Sequence, residues 1–129
     1  MAWLMGDSIT SPRQTSVWVD KAGNIRWPPN DGFLGKPERV TLQPGTLIDR
    51  YGYESGRFVS PQGVPIQMRS LAPGTENKPY NIYEVIKPIE GLRGTTNPWF
   101  DQVGGGIQYK LDMTIQELLA GGFIRRTGP

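Results

Sequence analysis

Cysteine and histidine are both missing from the 129 residues. Without cysteine the chain has no disulfides, thiolate metal sites or cysteine nucleophiles, and its redox compartment stays open because a disulfide-free domain tolerates any of them. Without histidine the Ser-His and Cys-His hydrolases, histidine-ligated metalloenzymes and histidine-based nucleases are excluded, since each needs an imidazole as base or ligand. Any chemistry here works without a side chain that ordinarily titrates near neutrality. No apolar run reaches the roughly 18 residues that span a bilayer, and no charged-then-apolar leader opens the chain, so neither a membrane-spanning segment nor a signal peptide is expected. The 14 basic and 12 acidic residues leave only +2 and are scattered, which argues against an extended nucleic-acid footprint. No acidic cluster of the kind that binds calcium is visible, and no metal site is expected.

What is present is glycine and proline, 17 and 12 residues, between short strand-like apolar runs. The length suits one domain that buries roughly two-thirds of its unfolded surface. The expected fold class is α+β and mainly β: a single domain with a twisted, mostly antiparallel central sheet, long Gly/Pro-rich loops and one or two short helices. Residues 1–43 are expected as an N-terminal arm and hairpin packed on a core of residues 44–129. In the arm, Trp3 and Leu4 would pack on the body, and Val17 to Val19 with Ile25 to Trp27 would flank a turn at Asp20 to Asn24.

Strands are predicted over Arg39 to Leu42, Thr46 to Arg50, Arg57 to Ser60, Ile66 to Leu71, Tyr80 to Lys87 and Ile107 to Leu111, with a last one at Phe123 and Ile124. Ile89 to Gly106 reads as a long glycine-rich connection. Thr114 and Glu117 form a T-x-x-E capping box for a short helix that buries Leu118 and Leu119 and stops at Gly121 and Gly122. The triple glycine at 104–106 lacks GxGxxG spacing and a following helix, so it is no nucleotide fingerprint, although it would let backbone approach a ligand.

The stretch around which the chain is organised is LIDRYGYESGRFVSPQGVPIQMRSL, Leu47 to Leu71. Arg50 and Arg69 flank segments broken by glycine and proline, so the chain doubles back and can bring both guanidinium groups to one cleft. Two such planar, permanently charged forks suit an anionic, diphosphate-bearing ligand. The alternative is a solvated face, the commoner fate of strand arginines. Tyr51 and Phe58 offer flat rings beside that charge, as a site for a heteroaromatic base requires, unless Phe58 is ordinary core.

The ordered series IDRYG, GRFVSPQGVPIQMRSL, YNIYEVIKP and NPWFDQVGGGIQY resembles the tuberculosis necrotizing toxin family of NAD(P) glycohydrolases, over about residues 44 to 124. Its D-R-[FY]-G, S-P-x-G, R-[SA]-L and G-G-G-x-Q-[YF] motifs are all matched. The resemblance implies catalytic roles for Arg50, Arg69 and Gln108, an aromatic platform at Tyr51 and Phe58, and Ser60 in the same substrate-binding pocket. The sequence departs where some toxin members place a histidine, carrying Asn81 or a neighbour instead. It also implies NAD+ as substrate, with NADP+ as a second candidate, no cofactor, a cognate immunity protein, and secretion or delivery into a target cell as part of a larger toxin. Two other readings stay open: an ADP-ribosyltransferase, for which Glu54, Glu84 and Glu117 are candidate acceptor-activating residues, and a non-catalytic β-rich interaction module with Trp99 and Phe100 on its binding surface.

Overall fold

The computed structural model describes residues 15–129, so the expected packing of Trp3 and Leu4 lies outside the described residues. One seven-stranded sheet organises the chain. Its strands are β1 (Glu38–Leu42), β2 (Leu47–Tyr51), β3 (Phe58–Pro61), β4 (Tyr80–Val85), β5 (Ile89–Thr95), β6 (Ile107–Leu111) and β7 (Ile124–Gly128), in the order β1-β5-β6-β3-β2-β4-β7. Every pairing is antiparallel. The mainly β, α+β expectation is met, with short helical turn α1 (Thr15–Trp18) and helix α2 (Ile115–Ala120) as the α elements.

One face of the sheet is dry. Ile48, Val59, Tyr83, Val85, Tyr109 and Leu111 bury against one another and against Ile115 and Leu118 of α2. Side chains alternate along a strand, so burying this set sends Asp49, Phe58, Ser60 and Gln108 to the opposite face. Helix α2 begins where expected. The Thr114 hydroxyl accepts from the Glu117 N–H at 3.1 Å and the Glu117 carboxylate accepts from the Thr114 N–H at 2.9 Å, closing the capping box. Leu118 is buried as expected, while Leu119 is only partly so, because Ile115 and Leu118 occupy the inward stripe.

Three expectations need correction. Residues 89–95 are the longest strand, β5, and not part of a loop. Glycine there permits close approach: a Cβ on Gly91 would stand 2.8 Å from the Lys110 carbonyl oxygen, and one on Gly94 2.7 Å from the Phe33 ring. Ile66 to Leu71 is not a strand either. Ile66–Met68 forms a 3-10 turn after Pro65, with the Met68 N–H donating to Pro65 and the Arg69 N–H to Ile66, so local bonds satisfy the backbone and no ladder forms. The hairpin expected at Val17 to Trp27 reduces to one bridge, Val19 with Ile25, because Asp20 Oδ1 accepts the Ala22 and Asn24 amides and closes a tight turn.

The two halves of the sheet meet on β3. Phe58 and Val59 pair with β6 on one side, while Ser60 and Pro61 pair with Asp49 and Ile48 of β2 on the other. Beyond Asp49 the two strands of the β2–β3 hairpin therefore part, and the candidate site opens at that seam.

Candidate functional site

Arg50 closes the gap between the diverging strands. Alternation starts its side chain on the Ile48 face, and its guanidinium turns into the seam, donating through Nε to the Tyr53 carbonyl at 3.0 Å and through Nη1 to the Phe58 carbonyl at 2.8 Å. Glycine makes the slot: a Cβ on Gly56 would lie 1.9 Å from Nη2, and one on Gly52 2.8 Å from it. No carboxylate pairs with Arg50 among the described residues. Burial accordingly lowers its pKa, opposed only in part by the neighbouring Tyr83 phenol.

Arg69 stands in the opposite condition. It is 7 % exposed and faces Asp49, which is 0 % exposed, in a two-pronged pair with Nη1 to Oδ1 at 2.5 Å and Nη2 to Oδ2 at 2.9 Å. Nε and Nη2 also donate to the Val64 carbonyl at 2.9 and 2.7 Å, leaving a single Nη1 hydrogen unengaged. Asp49 is saturated too. Its Oδ2 accepts from the Tyr80 hydroxyl at 2.7 Å and the Gly63 amide at 3.1 Å. Burial first, and then the bond to Asp49, push the Tyr80 phenol up to about 12. The Tyr51 ring lies 5.1 Å from the Arg69 guanidinium and 4.6 Å from the Tyr80 ring, so the network presents an aromatic edge to the cavity.

The triple glycine holds this turn in place. A Cβ on Gly106 would meet the Val64 side chain at 2.6 Å and the Met68 carbonyl at 2.8 Å, and the Gly106 N–H donates to that carbonyl at 3.0 Å. Its close approach is to the Arg69 turn, where the sequence alone suggested an approach of backbone to a ligand.

Arg50, Tyr51, Phe58, Arg69 and Gln108 line one cavity of about 450 Å³. The structure thus brings five of the six sequence-predicted residues together. The sixth, Ser60, is buried and lines a smaller recess of about 50 Å³ alongside the same five. Gln108 Nε2 donates to the Asp31 carbonyl at 3.1 Å, which leaves its Oε1 without a partner among the described residues. Asp31 also lines the cavity, and its carboxylate is paired with Lys110 Nζ at 2.9 Å. Trp27 and Phe100 complete an aromatic wall, their rings packed edge to face at 6.2 Å.

Sequence reasoning missed Asp31, Asp49, Lys78 and Tyr80 as members of this environment. Asp49 sits inside the D-R-Y-G motif, and a carboxylate beside an apolar strand residue is the available signal. For Asp31 the available signal is the turn composition Asn-Asp-Gly, whose left-handed Asn30 and Asp31 form the turn that reaches Gln108. The transferase candidates lie elsewhere. Glu54 pairs with Arg126, Glu84 with Arg125, and Glu117 caps α2, and none lines the cavity.

The antiparallel sheet thus opens at one seam over a cleft lined by two arginines and walled by aromatic rings. The chain belongs to the tuberculosis necrotizing toxin family, whose model matches residues 41–127. It is 35% identical to the conidial surface nicotinamide adenine dinucleotide glycohydrolase of Aspergillus fumigatus, over 81% of this chain and 50% of that protein. The chain therefore spans about half the length of this curated relative. The solved structure of tuberculosis necrotizing toxin complexed with its immunity factor shares the fold, with a TM-score of 0.65, 23% identity, and coverage of 83% of this chain and 65% of that one.

Proposed function

We propose that this domain hydrolyses the nicotinamide-ribosyl bond of NAD+, and of NADP+ as a second substrate, releasing nicotinamide and ADP-ribose. The observation that carries the reading is the convergence of Arg50, Tyr51, Phe58, Arg69 and Gln108 on one cavity within the segment matched to the family. The chemistry suits a site without histidine. The C1′–N bond breaks, its electron pair leaves with nicotinamide as a neutral base, water bonds to C1′, and one proton passes to solvent. Positive charge moves from the pyridinium ring to the ribose in the transition state, so positioning matters more than a strong base, and it supplies up to roughly 7 to 11 kcal/mol.

In this reading the Arg50 guanidinium takes the diphosphate, and the rings of Tyr51 and Phe58 hold the cationic pyridinium. Gln108, its amide nitrogen held by Asp31, offers Oε1 to a ribose hydroxyl or to the attacking water. Arg69 and Ser60 shape the wall behind the reacting ribose. Water is favoured over a protein acceptor because Glu54, Glu84 and Glu117 are each engaged away from the cavity. The domain is accordingly a toxin module that depletes NAD, delivered as part of a larger protein and neutralised by a cognate immunity protein, with NAD(P)+ as substrate and no cofactor.

Nicotinamide release from NAD+ by the purified chain, followed by chromatography, tests the reading. Release without any acceptor, reduced about a hundredfold in kcat/KM in Arg50→Ala and mainly in kcat in Gln108→Ala, is the expected result. Labelling of an added protein in place of free ADP-ribose would make the enzyme a transferase. No turnover in either assay would leave a binding module.

A further inference from the structure

Four cationic or anionic residues give the cavity its charge, and they are not equally available. Asp31 is neutralised by Lys110, and Arg69 by the buried Asp49. Arg50 has only carbonyl partners. The remaining cation is Lys78, which lines the same cavity, is exposed, and has no carboxylate partner among the described residues; its Nζ lies 5.8 Å from the Tyr53 ring. Its backbone is tied to the arginine's. Tyr80 pairs with Tyr51 in the sheet, and the Gly52 N–H donates to the Pro79 carbonyl at 2.8 Å, which anchors Lys78 just past the end of the ladder that carries Arg50. Two uncompensated positive charges thus share one end of β2 and one cavity.

We propose that Lys78, with Arg50, binds the diphosphate of the dinucleotide, and that Arg69 is a positioning residue whose charge is already answered by Asp49. The assignment rests on the dinucleotide reading above. A diphosphate diester carries one negative charge on each phosphate, and an ammonium and a guanidinium without carboxylate partners match that charge, whereas a guanidinium already paired in a buried fork adds little net field. Lys78 belongs to none of the sequence motifs that pointed to the site, because an exposed lysine near a proline reads as ordinary surface until the fold places it on the rim of the cavity that Arg50 also lines.

Calorimetric binding of ADP-ribose and of adenosine to the intact chain tests the assignment, with Lys78→Ala and Lys78→Arg measured over a range of salt concentrations. Lys78→Ala should weaken ADP-ribose by about tenfold, the worth of one charge-assisted contact, and flatten the salt dependence. Lys78→Arg should recover affinity to within about threefold, and adenosine should bind all three proteins alike. ADP-ribose affinity unchanged in Lys78→Ala, an equal loss for adenosine, or no ADP-ribose binding by the unaltered chain would each overturn it. The two readings fail separately: a chain that binds ADP-ribose through Lys78 but releases no nicotinamide loses the hydrolytic function and keeps this assignment.

Discussion

Arg50 and Arg69 stand on adjoining walls of one cavity, yet their surroundings are opposite. Around Arg69 a fully buried carboxylate and the Val64 carbonyl satisfy every donor but one, and the carboxylate, itself held by the Tyr80 hydroxyl, balances the charge. Around Arg50 two carbonyls fix the plane of the guanidinium and leave its charge unanswered. Carbonyls orient a cation without neutralising it, so the first arrangement builds structure and the second keeps a charge ready for an anion. The residue type is the same, and the partner decides the work it does.

The comparison breaks most visibly through Asp49. Asp49→Ala leaves the Arg69 charge buried and unpaired, and should cost about 3–5 kcal/mol of unfolding free energy in a denaturant titration. An undiminished midpoint would show that the pair contributes nothing. Arg50→Ala should do the reverse, with a stability loss near 1–2 kcal/mol from two lost hydrogen bonds and a fall of about a hundredfold in kcat/KM for NAD+. Equal damage to stability in both variants would erase the distinction between the two arginines.

Gly56→Ala sharpens the contrast without removing either charge. The new methyl group meets Nη2 at 1.9 Å and must displace the guanidinium, so about a tenfold loss of kcat/KM is expected, with roughly 1–3 kcal/mol of overpacking. Activity equal to the unaltered chain would mean that the glycine slot does not set the position of Arg50. The smallest effect belongs to Tyr80→Phe, which removes one bond to Asp49 and should cost about 1 kcal/mol. Its pH signature is specific. The phenol is raised from 10.0 to about 12, which favours the neutral form in the folded state, so the contribution is intact below pH 10 and fades as pH climbs through about 12. Stability of Tyr80→Phe should therefore decline less over that window than stability of the unaltered chain.

Local chemistry made much of the fold legible. Alternation and β-branched content found β2, β3, β4 and β6 to within a residue or two, and Thr114 and Glu117 announced α2 because a capping box is satisfied by its own neighbours. Strand β5 was hidden by Gly91 and Gly94, whose missing side chains answer to Lys110 and Phe33, far away in sequence. The turn carrying Arg69 was mistaken for a strand because Ile66-Gln67-Met68 alternates by side chain while its backbone bonds close locally after Pro65. Of the site, Arg50, Tyr51, Phe58, Arg69 and Gln108 were readable from motifs, and Asp31 and Lys78 were not, since Asp31 enters through a bond from Gln108 and Lys78 through the Gly52–Pro79 bond beyond the β2–β4 ladder.

By itself the sequence determined what chemistry was available: no imidazole or thiol, and Arg50, Arg69, flat rings and Gln108 in a glycine-punctuated β framework. Only the tertiary structure decided which arginine is left without a carboxylate partner. That choice depends on the bond between Arg69 and an Asp49 twenty residues away, and on the parting of β2 from β3 around Arg50. Electrostatic function is set by distance and burial, and these exist only once the sheet has formed.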